Sequence, residues 1–180
     1  VCVKPCETGC NRNHIDTTVN IHAVERFIGD EAIRHHWQIN YAAKLTGKKI
    51  LVVGAGPGGL SAAYHLARMG HTVEVVDAGN YPGGLLWSGI PDYRLPKEIL
   101  EAEVDRIVRM GVTIRLHYKV KDLLLEKEAG GFDAVYLAVG AQLIHDEAFE
   151  HDNSVLITNA FSFFNTLRET TSPYMHKKVL

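Results

Sequence analysis

Cysteine is scarce and unevenly placed in this sequence. Of 180 residues three are cysteine, and all three lie between Cys2 and Cys10. An odd, crowded set cannot pair off into the disulfide framework of a small secreted domain. It reads instead as metal ligation in a reducing cytoplasm. Long apolar runs are missing too: none approaches the ~20 residues that a membrane-spanning helix needs, and the N-terminus has neither the basic start nor the apolar core of a signal peptide. An excess of charge of one sign is also absent. The formal net charge is -2, which excludes a global pull toward nucleic acid or an anionic membrane. There is no G-x-S-x-G elbow for nucleophilic catalysis and no internal repeat, apart from the final Lys177-Lys178-Val179-Leu180 echoing Lys48-Lys49-Ile50-Leu51. That echo, with a start inside a cysteine cluster and no methionine, leads us to expect a piece of a longer protein. What remains is ordinary globular composition, 46% hydrophobic and 22% charged. The length suits one full core with a small extension.

The richest stretch runs from Lys48 to Asp77. Ile50 to Val53 is an unbroken apolar run, the pattern of a strand buried on both faces. Gly54-Ala55-Gly56-Pro57-Gly58-Gly59 follows at once as a G-x-G-x-x-G turn. Gly54 permits the tight turn, Gly56 lets a pyrophosphate approach the backbone, and Gly59 lets the following helix pack closely on the strand. The helix opening near Gly58 offers unpaired N–H groups and a positive dipole end to phosphates. A second strand, Thr72 to Val76, ends on Asp77, about the ~20 residues downstream at which an acidic side chain meets ribose hydroxyls. A lone glycine fingerprint is weak, but here strand, turn, helix, strand and acid fall in register, and together they indicate a dinucleotide site.

Around this core the chain alternates. Val1 to Asp16 is polar with little periodicity. A helix is expected from about Val19 to Trp37, with Ile21, Val24, Ile28 and Ala32 forming an apolar stripe and Glu25 inside it. A carboxylate on a packed face must be paired, protonated or bound to metal. Asn40 to Gly47 reads as a connector. Gly79 to Pro96, dense in glycine, proline and aromatics, is too long for a simple connection and suggests a functional loop. Pro96 suits a first helical position, and Ile99, Leu100, Val104, Ile107 and Val108 give the next helix its apolar face. Gly111 stops it. Val112 to Leu116 reads as a third strand, Asp122 to Ala129 as helix or turn, and Ala134 to Val139 as another buried strand ending on Gly140. Gln142 to Asn153, with His145 and His151, reads as an acidic solvated loop, Phe161 to Leu167 as a short amphipathic helix, and Ser172-Pro173 as a break before the terminal strand. The alternation implies an α/β fold with a parallel sheet and flanking helices.

The cysteine spacing, Cys2-x3-Cys6-x3-Cys10, matches neither paired structural zinc elements nor a complete four-ligand cluster. Glu25 is a candidate fourth ligand. Fortuitous thiols, with Glu25 paired to Arg12 or Arg26, are the alternative.

Four stretches together carry a family resemblance: the cysteine segment followed by Val19 to Arg26, the Gly54 fingerprint, GGLLWSGIPDYRLPKEIL, and AVYLAVGA. They resemble the glutamate synthase small (beta) subunit family, whose module recurs in the N-terminal half of dihydropyrimidine dehydrogenase and in NADH-dependent ferredoxin:NADP oxidoreductases. The resemblance implies a Rossmann-like FAD-binding domain at 47–176, preceded by part of a small helical [4Fe-4S] domain at 1–46 and followed at 177–180 by the start of an NAD(P)H-binding domain. It implies that Cys2, Cys6 and Glu25 serve one cluster and Cys10 another, with the remaining ligands outside this chain, so that no cluster is complete within it. It places FAD on Gly54, Ala55, Gly56, Pro57, Gly58 and Gly59, with Asp77 on the adenosine ribose, where the family more often has Glu. Gly84 and Leu85 would pass the pyrophosphate and flavin end, Arg94 would reach the cofactor, Val120 would meet the adenine through its backbone, and Gly140 would close the turn beneath the flavin. Related sequences often have Thr at the position of Val139. No C-x-x-C pair flanks the flavin loop, which argues against a dithiol mechanism.

The activity implied is passage of electrons from NAD(P)H through FAD to iron–sulfur clusters. The acceptor would be a partner resembling the glutamate synthase large subunit or ferredoxin, in the cytoplasm, with neither nucleic acid nor membrane as partner. This fragment alone is expected to be inactive. Two other readings remain: a plain NAD(P)-binding Rossmann dehydrogenase, which the cysteine segment and GIPDYRLP loop oppose, and a non-catalytic electron-transfer or docking module.

Overall fold

The computed structural model describes residues 2–38 and 44–141. The expectations on residues 142–180 (the acidic loop with His145 and His151, the Phe161–Leu167 helix, the break at Ser172-Pro173 and the terminal strand) lie outside the described residues, as does part of the Asn40–Gly47 connector.

Among the described residues four strands form one sheet: β1 (Lys49–Val53), β2 (Thr72–Val76), β3 (Thr113–Arg115) and β4 (Ala134–Leu137). All pairings are parallel and the order is β3-β2-β1-β4. The helices are α1 (Pro5–Thr8), α2 (Ile21–Arg34), α3 (Pro57–Arg68), α4 (Leu85–Ser88), α5 (Lys97–Val108) and α6 (Leu123–Ala129). The expected α/β fold is therefore the one adopted. The chain steps from β1 through α3 to β2 and through α5 to β3. It then returns to place β4 on the other side of β1. Strand order thus reverses beside β1, the place where open α/β sheets form a ligand crevice at the carboxyl ends of their strands.

The apolar run of β1 supplies both faces of the core, because successive side chains point to opposite sides. Val52 packs with Val73, Val75 and Val112 of the sheet region and with Ala63 and Ala67 of α3. Leu51 and Val53 face the other way, against Val76 and Phe132, with Tyr118, Val120 and Val135 around them. Leu51, Val52, Val75 and Val76 are fully buried, each contributing roughly 1.5–3 kcal/mol of transfer free energy. Leu60, Leu100 and Val104 join α3 to α5.

Several expectations need correction. The strand at Ala134 is not buried. It forms the outer strand of the described sheet, with Tyr136 47% and Leu137 55% exposed. An apolar run shows that a segment can be covered, but not that the neighbouring element lies within the described chain. The second helix runs over Ile21–Arg34, and its packed residue is Ala32, while Val24 and Ile28 are half exposed. Glu25 is exposed, so it does not sit on a packed face. Neither arginine pairs with it, since Arg12 bridges Asp16 and Arg26 bridges Asp30. Pro96 is the residue before α5, not its first residue. The segment before Asp16 has local order: α1, then a 3₁₀ turn at Asn11–His14. It is tied to α2 by the Glu7 carboxylate, which accepts the His22 N–H at 2.9 Å and so satisfies one of the open donors of that helix. No helix among the described residues is long and apolar enough to cross a membrane.

Candidate functional site

The site is built where β1 ends. Gly54 turns the chain with φ +110, and a Cβ there would lie 2.2 Å from the Ala138 carbonyl oxygen. Only glycine fits that combination. The same contact shows that the segment after β4 passes directly beside the turn. Gly54 N–H donates to the Val76 carbonyl at 2.8 Å, fixing the turn to the end of β2.

Ala55 is fully buried, and its two flanking peptide groups are both engaged. Its N–H donates to Asp77 Oδ2 at 2.6 Å, and its carbonyl accepts the Gly83 N–H at 2.7 Å. Gly56 then leads into α3 in extended conformation with no side-chain cap. Pro57, at the first helical position, has no N–H to offer. Leu60 N–H closes on the Gly56 carbonyl at 2.9 Å. Among the described residues, the Gly58 and Gly59 N–H groups have no hydrogen-bond acceptor. Two open donors at the positive end of a twelve-residue helix favour an anion there. Gly59 is needed for a different reason: a Cβ on it would fall 1.8 Å from the Gly54 oxygen.

The loop after β2 closes the other side. Asp77 Oδ1 accepts the Gly79 N–H at 2.7 Å, and the Asp77 backbone pairs with Arg115 O and Tyr118 N. Gly83 and Gly84 then return to the glycine turn. A Cβ on Gly84 would lie 2.9 Å from Gly56 Cα, whereas a Cβ on Gly56 meets nothing closer than 4.0 Å. Gly56 therefore has free space, and Gly84 does not. Farther along, Tyr81 stacks on Trp87 with centroids 4.3 Å apart. Lys97 lies over the Trp87 ring at 5.0 Å, donates to the Trp87 carbonyl at 2.7 Å and bridges Asp92 at 3.3 Å. These contacts tie the loop to the start of α5.

The structure thus brings Gly54 to Gly59, Asp77 and Gly84 together, with Leu85 next to Gly84 and half exposed. Gly140, with φ +72, lies just beyond the segment that passes Gly54. Arg94 and Val120 are not joined to the turn by any hydrogen bond or ion pair among the described residues. Arg94 is exposed, and Val120 packs on the opposite face of the sheet. Gly83 was missed from sequence, although its position in a Gly-Gly pair inside the long loop is a signal for close backbone approach. A groove of about 410 Å³ along α3, lined by Gly58, Ser61, Ala62, His65, Leu66, Met69 and Tyr136, lies on the flank of that helix at the open side of β4. It shares only Gly58 with the crevice.

The N-terminal cysteines show a different picture. Cys2 and Cys6 are exposed, and Cys10 is half buried. Hydrogen bonds, first from the backbone of Val19 and then from the backbone of Arg12 and the Thr18 side chain, hold the Cys10 thiol below its ordinary range. Among the described residues no group of three or more His, Cys, Asp or Glu side chains gathers at one point. Cys2, Cys6, Cys10 and Glu25 are therefore not gathered at one point among the described residues.

Comparison with known proteins agrees with the turn. Residues 52–100 match the model of the NAD(P)-binding Rossmann-like domain. The fold around those residues is Rossmann-like, a parallel sheet with flanking helices. The chain resembles the NADPH-Fe(3+) oxidoreductase subunit beta of Geobacter sulfurreducens, at 40% identity over 149 residues, covering 78% of this chain and 22% of that protein. It also resembles the NAD-dependent dihydropyrimidine dehydrogenase subunit PreT of Escherichia coli O157:H7, at 37% identity over 138 residues, 76% of this chain and 34% of that protein. A third relative is the glutamate synthase [NADH] of Schizosaccharomyces pombe, at 34% identity over 169 residues, 92% of this chain and 8% of that protein. The resemblance to glutamate synthase and dihydropyrimidine dehydrogenase read from the residues is thus met in relatives of both kinds. The chain spans no more than about a third of any of these three proteins.

Proposed function

We propose that this chain is the FAD-binding core, with the tail of an iron–sulfur domain, of an NAD(P)H-linked flavin oxidoreductase. The observation that carries the reading is the pair of open N–H groups at Gly58 and Gly59, set behind a turn whose Gly56 leaves space for a ligand. A pyrophosphate answers both features at once: its oxygens accept the donors and its charge meets the helix dipole.

In this proposal Gly54, Ala55, Gly56, Pro57, Gly58 and Gly59 hold the pyrophosphate and Asp77 faces the adenosine ribose. Gly84 and Leu85 border the pyrophosphate and flavin end, Arg94 reaches the cofactor, Val120 meets the adenine through its backbone, and Gly140 lies beneath the flavin. FAD would supply hydride acceptance from NAD(P)H and release of single electrons. The chain's own part is to bind, to orient and to keep the loop closed. The domains proposed are 1–46, 47–176 and the start of another at 177–180. For the whole protein, the relatives support an electron-accepting partner. Resemblance to the glutamate synthase large subunit or to ferredoxin is the finer proposal, and the cytoplasm its setting. Cys2, Cys6, Cys10 and Glu25 are proposed only as contributors to clusters with further ligands, and no step is routed through them.

The test is an absorption spectrum of the purified chain after FAD is added and the mixture desalted. Bands near the flavin's ~370 and ~450 nm that stay with the protein are expected. A folded chain that releases all flavin yet retains a nicotinamide dinucleotide would replace this reading with a plain NAD(P) site.

A further inference from the structure

We infer that Asp77 is a positioning residue for the phosphate-binding turn as well as a neighbour of the nucleotide. Its carboxylate holds the Ala55 peptide in the shape that leaves the Gly58 and Gly59 donors open. The inference rests on the function proposed above, and it follows from where the two carboxylate oxygens are already committed. Oδ2 accepts the Ala55 N–H at 2.6 Å and Oδ1 accepts the Gly79 N–H at 2.7 Å. One side chain therefore ties the β1 turn to the β2 turn. At the far side of the same residue, the Ala55 carbonyl is held by Gly83 N–H at 2.7 Å. Ala55 is gripped from β2 and from the loop, and α3 opens two residues later, at Pro57.

Side-chain length and charge both matter to this grip. A carboxylate accepts on both oxygens, about four lone-pair sites in all. It can receive two backbone donors and still face ribose hydroxyls. Asparagine cannot do this, because its amide nitrogen would confront one of the two N–H groups. Glutamate keeps the charge, but its extra methylene moves the oxygens off the two donors. Asp77 is thus the acidic side chain whose reach fits this double contact.

Two measurements on the full chain test the inference. The first is amide hydrogen exchange without cofactor. In Asp77→Asn and Asp77→Glu, exchange at Ala55 and Gly79 is expected to accelerate about 10-fold or more, as loss of a charge-assisted hydrogen bond implies. Exchange at Val52, inside the sheet, is expected to hold its wild-type rate and so to report that the variants fold. The second is titration with inorganic pyrophosphate, which carries no ribose, followed at the Gly58 and Gly59 amides. Removing a negative charge near an anion site would by electrostatics alone tighten binding in Asp77→Asn. Loss of the positioning contact weakens it instead, and weakening in both variants is the expected result.

Unchanged exchange at Ala55, or tighter pyrophosphate binding in Asp77→Asn, would overturn the inference and leave Asp77 as a ribose neighbour only. These outcomes are separate from failure of the proposed function. That failure would appear as wild-type protein that does not retain FAD, while the exchange rates at Ala55 are read without any cofactor.

Discussion

Two glycines three residues apart in the same turn are required for opposite reasons, and alanine substitutions at Gly56 and Gly59 separate them. At Gly59 an added Cβ would sit 1.8 Å from the Gly54 carbonyl oxygen, 3.0 Å from its carbon and 3.3 Å from Val52 Cγ1. The first two of these atoms are backbone, so no rotamer relieves the contact. To reach even a 3.0 Å separation the start of α3 would have to move about 1.2 Å away from the turn. That displacement would loosen Leu60, Ala63 and Ala67, which pack α3 onto the sheet and onto α5. Overpacking of this kind costs ~1–3 kcal/mol, and a backbone clash lies at the upper end. At Gly56 a Cβ meets nothing closer than 4.0 Å and φ is −74, so the fold accepts it with little cost. The space it fills is the approach of the proposed pyrophosphate. Urea unfolding followed by circular dichroism should therefore show Gly59→Ala destabilised by about 3 kcal/mol and Gly56→Ala near wild type. Retention of FAD after desalting should be lost in Gly56→Ala. A Gly59→Ala protein as stable as wild type would refute the close-packing argument, and full flavin content in Gly56→Ala would refute the assignment of the turn.

Asp122 caps α6 by accepting the Leu124 and Leu125 N–H groups at 2.9 and 3.0 Å. Asp122→Ala should cost about 1 kcal/mol in urea unfolding, and Asp122→Asn should cost much less. Asp133 is held below the usual carboxylate range, first by the Lys48 ammonium at 2.7 Å and then by the Lys49 N–H. Because its folded pKa is depressed, its contribution is present above the unfolded value and is lost as pH falls through the folded one. Stability measured against pH should thus decline on the acid side less steeply in Asp133→Asn than in wild type. Glu25 is exposed and has no part in the described core. Glu25→Ala should leave stability within about 0.5 kcal/mol of wild type, so any loss of iron from the intact protein would report ligation.

The part of the fold that could be read from sequence was the part in which one residue pattern has one solution. From Lys49 to Asp77 an apolar run, a glycine turn, a helical stripe and a second apolar run each have a fixed period, and only the parallel β1-α3-β2 arrangement satisfies all of them. Sequence pattern implies buried apolar faces on α2 and β4, because periodicity shows which side of an element is apolar. It does not name what covers that side. Val24, Ile28, Tyr136 and Leu137 are half exposed among the described residues, so the pattern identified the face and overstated its burial. Glu25 is exposed, not packed, for the same reason. A stripe three and four residues apart is about as wide as the side chains flanking it, and a charged residue at its border turns outward whenever a neighbour does not hold it.

The candidate site divides along similar lines. The glycines were legible, since each is a backbone requirement visible as a missing side chain. What each glycine avoids was not legible. Gly54 makes room for the Ala138 carbonyl, 84 residues later in the chain, and Gly84 makes room for Gly56. Such contacts are set by strand order. Once β4 lies beside β1, Ala138 N–H reaches Val53 O at 2.7 Å and its own carbonyl falls where a Gly54 Cβ would be. At Asp77 the motif carries only part of the argument. Its place at the end of β2 marks it as a nucleotide neighbour, but of the two backbone donors it holds, the Ala55 N–H comes from a turn that only the folded chain brings to it, while the Gly79 N–H is local. A residue found by its spacing to a ligand is thus also the tie between two turns, and its loss should be felt at the phosphate end before any ribose is bound.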